Sequence, residues 1–156
     1  MRSTSFRFTA DVAGPPGVVF DLVADMPNYQ RWLPDSPAFA GTINVTPYPV
    51  RLGTAYLDAG PVEKPGSVTE FDPPRHIAFH HTVQIRSGPL RTDVDARIRY
   101  TFEPRQSQTF VLRELDLVTD LRGLFKLASP YLLSAFRKEN VRTLACLKQY
   151  LDSRYG

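Results

Sequence analysis

Between Leu90 and Phe102 the chain alternates almost without a break. Thr92, Val94, Ala96, Ile98, Tyr100 and Phe102 fall on one side, and Arg91, Asp93, Asp95, Arg97, Arg99 and Glu103 fall on the other. A period of two is that of a β-strand with one face in a core and the other in water. Ser3 to Val12 repeats it, with Phe6, Phe8 and Ala10 opposite Arg7, Thr9 and Asp11. His76 to Arg86 does so again, grouping Ile77, Phe79, His81, Val83 and Ile85. Thr109 to Thr119 is a further strand, and shorter strands are predicted over Phe39 to Thr46, Gly53 to Ala59 and Ser67 to Phe71. Turn residues separate them: Pro47 and Pro49, Pro65-Gly66, Asp72-Pro73-Pro74 and Ser87-Gly88-Pro89.

Elsewhere the period is helical. After Gly14, the pair Pro15-Pro16 opens a short helix carrying Val19, Phe20, Leu22, Val23 and Met26. A first-turn proline gives up no intrahelical hydrogen bond. Pro27 starts a second short helix with Tyr29, Trp32 and Leu33, and Pro34 ends it. From Asp120 onward Leu124, Leu127, Ala128, Tyr131, Leu132, Ala135, Phe136, Leu144, Leu147 and Leu151 recur at helical spacing. One long terminal helix is predicted, with Asp120 as its N-cap and a kink at Pro130 or a restart capped by Ser129.

The order is strand, two short helices, six strands and one long helix, an α+β arrangement. Hairpin-length connections make the sheet antiparallel. Its apolar face needs a cover, and the terminal helix carries the matching stripe. At 156 residues one domain over 1–156 is expected, and no linker or repeat divides the chain.

Composition and charge narrow the partners. The net charge is +3, and from Asp120 to Gly156 seven basic residues face three acidic ones. That excess is either a solvated helix face or a weak attraction to an anionic membrane surface. It is too sparse for nucleic acid. Cys146 is the single cysteine, so no internal disulfide forms, and its place in an apolar helical pattern reads as an inert thiol. Met1 to Phe8 has no signal-peptide pattern, and no apolar run reaches the roughly 20 residues that span a bilayer. A cytoplasmic protein is expected. No oligomeric state follows from the sequence.

Three segments carry a family resemblance. Gly17 to Pro34 (GVVFDLVADMPNYQRWLP) places an apolar helix, an Asp, an aromatic and a Trp before a proline. Thr69 to Arg75 (TEFDPPR) is a turn between middle strands, and Leu144 to Leu151 (LACLKQYL) ends the last helix. Together they resemble the START/SRPBCC superfamily, in its polyketide cyclase/dehydrase-like or coenzyme Q-binding-like branch. The resemblance implies a helix-grip fold: a seven-stranded curved antiparallel sheet wrapped on the long C-terminal helix. It also implies a cavity between sheet and helix for a hydrophobic small molecule such as a lipid, a quinone or an aromatic, polyketide-like compound. The superfamily hosts carriers, receptors and cyclases, so binding, cyclase-type catalysis and a membrane-surface accessory role all stay open.

The residues bear on that cavity directly. Inward faces mix large side chains (Phe79, Tyr100, Phe102) with small ones (Ala96, Ala55, Ala59, Ala78). Small residues on a concave sheet leave room, unless bulky helix residues fill it. The expected lining is Phe79, His81, Ala96, Ile98, Tyr100, Phe102 and Arg113 from the sheet, with Leu124, Tyr131 and Ala135 from the helix. His81 is a polar group on an apolar face. It is either a core histidine bonded to a carbonyl or a tyrosine, or a general acid/base. On the last strand either Arg113 or Glu114 faces inward, and a buried charge there needs a partner. An inward Arg113 would meet a ligand carboxylate or enol oxygen. If the protein is an enzyme, His81 and Arg113 are its catalytic candidates. Tyr56 and Tyr131 are further hydroxyl donors, and Asn140 lies on the helix stripe beside Phe136 and Leu144. Gly-x-Ser-x-Gly and phosphate-loop motifs are missing, adjacent His80 and His81 face apart, and neither a metal nor a cofactor is expected.

Overall fold

The computed structural model describes residues 2–87, 89–120 and 124–156, without the side chains of residues 87, 90 and 124–128. The alternating stretches become strands: β1 (Arg2–Ala13), β2 (Thr42–Thr46), β3 (Ala55–Asp58), β4 (Lys64–Asp72), β5 (His76–Ser87), β6 (Leu90–Arg105) and β7 (Gln108–Thr119). The helical stretches become α1 (Pro16–Ala24), a 3-10 helix (Met26–Arg31) and α2 (Leu124–Tyr155). The strands form one antiparallel sheet of seven in the order β1-β7-β6-β5-β4-β3-β2. Strands from β2 to β7 pair with their chain neighbours across short turns. Only β1 pairs out of sequence, beside β7, and the two short helices carry the chain from one edge of the sheet to the other. This is the helix-grip architecture, with the curved sheet wrapped on α2.

The two faces of β6 separate as its alternation requires. Val94, Ala96, Tyr100 and Phe102 are buried. On the outer face Arg99 holds Glu70 with two hydrogen bonds, at 2.9 and 3.1 Å. Partly exposed pairs of this kind add little stability. The fold is held by the inner face. Phe20 of α1 meets Phe71 and Phe102 edge to face, with ring centroids 5.4 and 5.9 Å apart, and so seals one end of the sheet.

The long helix touches the sheet unevenly. Leu144, Leu147 and Leu151 are buried. Its last turns are tied to β1: Asp152 accepts the Ala13 N–H at 3.0 Å, and Lys148 donates to the Asp11 carbonyl at 2.6 Å. Further back, Leu132, Leu133 and Phe136 are only half-buried. The helix therefore packs closely through its C-terminal half and leaves a gap beneath Leu132 and Phe136, while Ser129 nearer its start is buried again and accepts from Arg2 Nη1 at 3.3 Å.

Several boundaries differ from the sequence-based expectation. The strand expected from Phe39 begins only at Thr42, because Gly41 takes a left-handed conformation (φ 93°) that interrupts an extended run. Phe39 instead forms an isolated bridge with Ser36. Pro65 and Gly66, expected as a turn, lie within β4. The 3-10 helix ends at Arg31, so Trp32 and Leu33 lie just beyond it, both buried. α2 continues through Pro130, and the N-cap expected at Asp120 borders residues 121–123, outside the described residues.

Leu147 is fully buried and is the centre of the grip. Leu147→Ala is expected to lower unfolding stability by about 2–5 kcal/mol in urea titrations. Tyr131→Ala, on the exposed side of α2, is expected to stay within about 0.5 kcal/mol of the parent.

A mainly apolar cavity between sheet and helix

Where α2 stands off, the sheet face beneath it is uncovered, and a cavity of about 400 Å³ opens. Phe79, His81, Val83 and Ile85 of β5, Ile98 and Tyr100 of β6 and Arg113 of β7 form its floor. Leu132, Phe136, Asn140 and Thr143 of α2 form its roof. Tyr56, Asp58 and Lys64 close the side nearest β3 and β4. Pro37, Ala38, Pro61, Val62 and Ala135 also line the space and are exposed, so they make its rim.

Alternation on β7 resolves in favour of Arg113. Val111, Leu115 and Leu117 are buried with it, and Glu114 lies on the outer face near Arg7 and Arg99 at 3.9 Å. Arg113 pairs in register with Tyr100 on one side and Phe8 on the other. Its Nε donates to Asn140 Oδ1 at 2.9 Å, and Nη1 donates to the Tyr100 hydroxyl. The guanidinium carbon also stands 4.9 Å from the centroid of the Tyr100 ring. Asn140 is held in turn, its Nδ2 donating to the Phe136 carbonyl at 2.8 Å. One buried cation thus ties β6 and β7 to α2.

A second polar pair sits across the floor. Tyr56, Gly66 and His81 are in register on β3, β4 and β5. The Tyr56 hydroxyl lies 3.2 Å from His81 Nδ1. It reaches over β4 because Gly66 has no side chain: a Cβ there would stand 2.6 Å from the Tyr56 ring and 2.8 Å from the His80 carbonyl. Burial, ahead of the Lys64 and Arg113 charges, pushes the His81 imidazole down to about 3, so it is neutral near pH 7. Burial likewise raises the hydroxyls of Tyr29, Tyr56 and Tyr100, which stay protonated and able to donate. Asp58 accepts from Thr42 Oγ1 at 2.7 Å, and burial raises its carboxyl despite that bond and the nearby Lys64 charge.

Of the residues expected to line the cavity, Phe79, His81, Ile98, Tyr100, Arg113 and Ala135 do so. Ala96 and Phe102 are buried in the sheet face but lie outside the lining. Tyr131 is 79% exposed. At about 100° per residue it falls roughly opposite Asn140 on the helix, so it cannot share a face with the roof. The Leu124 side chain lies outside the described residues. The room does not come from Ala55, Ala59 and Ala78. Ala55 is exposed, Ala78 alternates away from Phe79, and β3 sends Tyr56 and Asp58 inward instead. Asp58, Lys64 and Tyr29 were not foreseen. Period-two spacing from Tyr56 would have placed Asp58 on the inner face, but a strand of four residues offers little alternation to read.

The chain matches the family described as "Polyketide cyclase / dehydrase and lipid transport" over residues 3–151. No curated protein sequence matches it. Among solved structures it resembles the Zhui aromatase/cyclase from a Streptomyces species, with 17% identity, a TM-score of 0.76 and 98% and 96% of the two chains covered. A protein from Mesorhizobium loti matches with 12% identity, a TM-score of 0.68 and 97% and 98% coverage. The di-domain ARO/CYC BexL matches with 17% identity and a TM-score of 0.71, over 97% of this chain and 51% of BexL, about half its length. At these identities the likeness is one of fold.

Two outcomes follow from this geometry. Gly66→Ala is expected to drive Tyr56 off His81 and cost about 1–3 kcal/mol in urea titrations, because the clash is with ring and backbone. His81 is neutral in the folded protein, whereas the unfolded chain takes up a proton below about pH 6.5. Its stabilising contribution is complete above that pH and is lost as pH falls toward 3, by about 2 kcal/mol between pH 6.5 and 5. Urea midpoints at pH 5 and pH 7 for the parent and His81→Asn measure it. An equal slope in both proteins would contradict the assignment, since His76 and His80 are common to them.

Proposed function

We propose that this chain, which belongs to the polyketide cyclase/dehydrase and lipid transport family, binds a hydrophobic small molecule between its sheet and α2. The candidates are a lipid, a quinone or an aromatic, polyketide-like compound. The cavity itself carries this reading. Its volume of about 400 Å³ falls within the roughly 300–1,000 Å³ of small-molecule sites. Its lining is largely apolar, with a few polar groups held by neighbours. A rim of Pro37, Ala38, Pro61, Val62 and Ala135 gives a route in. A cytoplasmic setting, where the single thiol of Cys146 stays reduced, is part of the same proposal.

A cyclase or dehydratase acting on a polyketide-like chain is the second reading, and the Tyr56–His81 pair favours it. A neutral imidazole in an apolar wall is able to hydrogen-bond and orient a bound substrate, while Arg113 and Tyr100 steady an enol oxygen. Full loss of turnover with unchanged affinity in His81→Gln would support this reading. Absence of any product from every ligand that binds would return the protein to a carrier role.

A thermal-shift panel of lipids, quinones and aromatic polyketides tests the binding reading. A ligand at about 100 times its Kd stabilises by about 2.7 kcal/mol. For a domain of this size the melt is then expected to rise roughly 5–10 °C. Ala135→Trp, at an exposed rim position, is expected to shrink that shift while leaving the unliganded melt nearly unchanged. No shift from any class would overturn the proposal.

A further inference from the structure

Given that the cavity holds a small molecule, as proposed above, we infer that the molecule is an amphipathic acid whose anionic oxygen seats on Arg113. The argument begins with the partners of that guanidinium. Arg113 is 8% exposed, and both of its hydrogen-bond partners, Tyr100 Oη and Asn140 Oδ1, are neutral. Among the described residues no carboxylate lies within ion-pair distance of it, and Nη2 has no hydrogen-bond partner. A buried charge is costly unless an opposite charge compensates it.

The carboxylates that line the cavity are engaged elsewhere. Glu139 takes Arg142 Nη1 at 2.9 Å and the Ser36 hydroxyl at 3.0 Å. Asp58 accepts from Thr42 and sits in register with Lys64. Lys64 spends its ammonium on the Ala38 carbonyl at 2.9 Å, near the rim. Lys64 thus stands at the side of the cavity near the rim, and Arg113 is the buried cation of its floor, its plane held by Asn140 and the Tyr100 ring.

Register supplies the direction. The Ile77–Tyr100–Arg113 row is followed along β5 by Phe79, His81, Val83 and Ile85 in turn. The guanidinium thus marks one end of the floor, and Val83 and Ile85 with Leu132 mark an apolar other end. A molecule with an acidic head and an apolar body matches that polarity. The head is a carboxylate or an acidic phenol or enol, all of which present an oxygen anion to the planar fork.

The test compares acid with ester on one apolar body: dodecanoate against methyl dodecanoate, and anthracene-2-carboxylate against its methyl ester. Binding is measured by calorimetry to the parent and to Arg113→Met and Arg113→Lys. The parent is expected to prefer the acid of at least one pair by about tenfold or more, the scale of a charge-assisted hydrogen bond. Arg113→Met is expected to lose that preference and to keep its affinity for the ester. The arm that binds tells an acyl chain from an aromatic body. Equal binding of acid and ester by the parent would overturn this inference and leave the cavity reading standing, as would a preference that survives in Arg113→Met. Should Arg113→Met fail to fold, the parent comparison and Arg113→Lys decide. Lys keeps the charge and loses the fork, so a weakened preference supports the inference and an unchanged one overturns it. Binding of neither acid nor ester in both pairs would overturn the inference, and the thermal-shift panel then decides the cavity reading separately.

Discussion

A twisted sheet lies along a straight helix over only part of the helix's length. In this protein the contact is at the end of α2, where Leu144, Leu147 and Leu151 bury themselves and Asp152 ties the last turns to Ala13. Between that contact and the buried Ser129, Leu132 and Phe136 roof an open space above the floor. The cavity lies between these two contacts. Ala55 and Ala78 do not make it, since they face elsewhere.

Once the gap exists, polar groups facing it must be satisfied without bulk water around them. The molecule does this by pairing across elements. Arg113 bridges β7 to Tyr100 on β6 and Asn140 on α2. Tyr56 bridges β3 to His81 on β5, over a β4 glycine. These two bridges give the wall its chemistry, a fixed cation and a neutral imidazole, within a mainly apolar surface. Likeness of fold to an aromatase/cyclase does not by itself decide a reaction, because function resides in the groups on the wall rather than in the scaffold.

Strand alternation and helix spacing, local properties of the chain, determined much of this protein. From them came the α+β order, the seven strands, the long terminal helix, the inward face of β5 with His81 and the inward face of β6 with Tyr100. Short elements were less legible. β2 and β3 have five and four residues, too few for a period to declare a face, and so Asp58 was missed. Tyr131 fits the helical spacing from Leu127 and Ala128, yet its angular position puts it roughly opposite Asn140 and it is exposed.

Tertiary structure alone decided between Arg113 and Glu114, since alternation defines two faces but not which one meets the core. It decided that His81 meets Tyr56, a partner 25 residues away along the chain and two strands across. It decided, too, that the space under α2 is open. Whether a helix fills a concave sheet depends on where along its length it touches, and that is set by contacts between residues more than a hundred positions apart, such as Asp152 with Ala13.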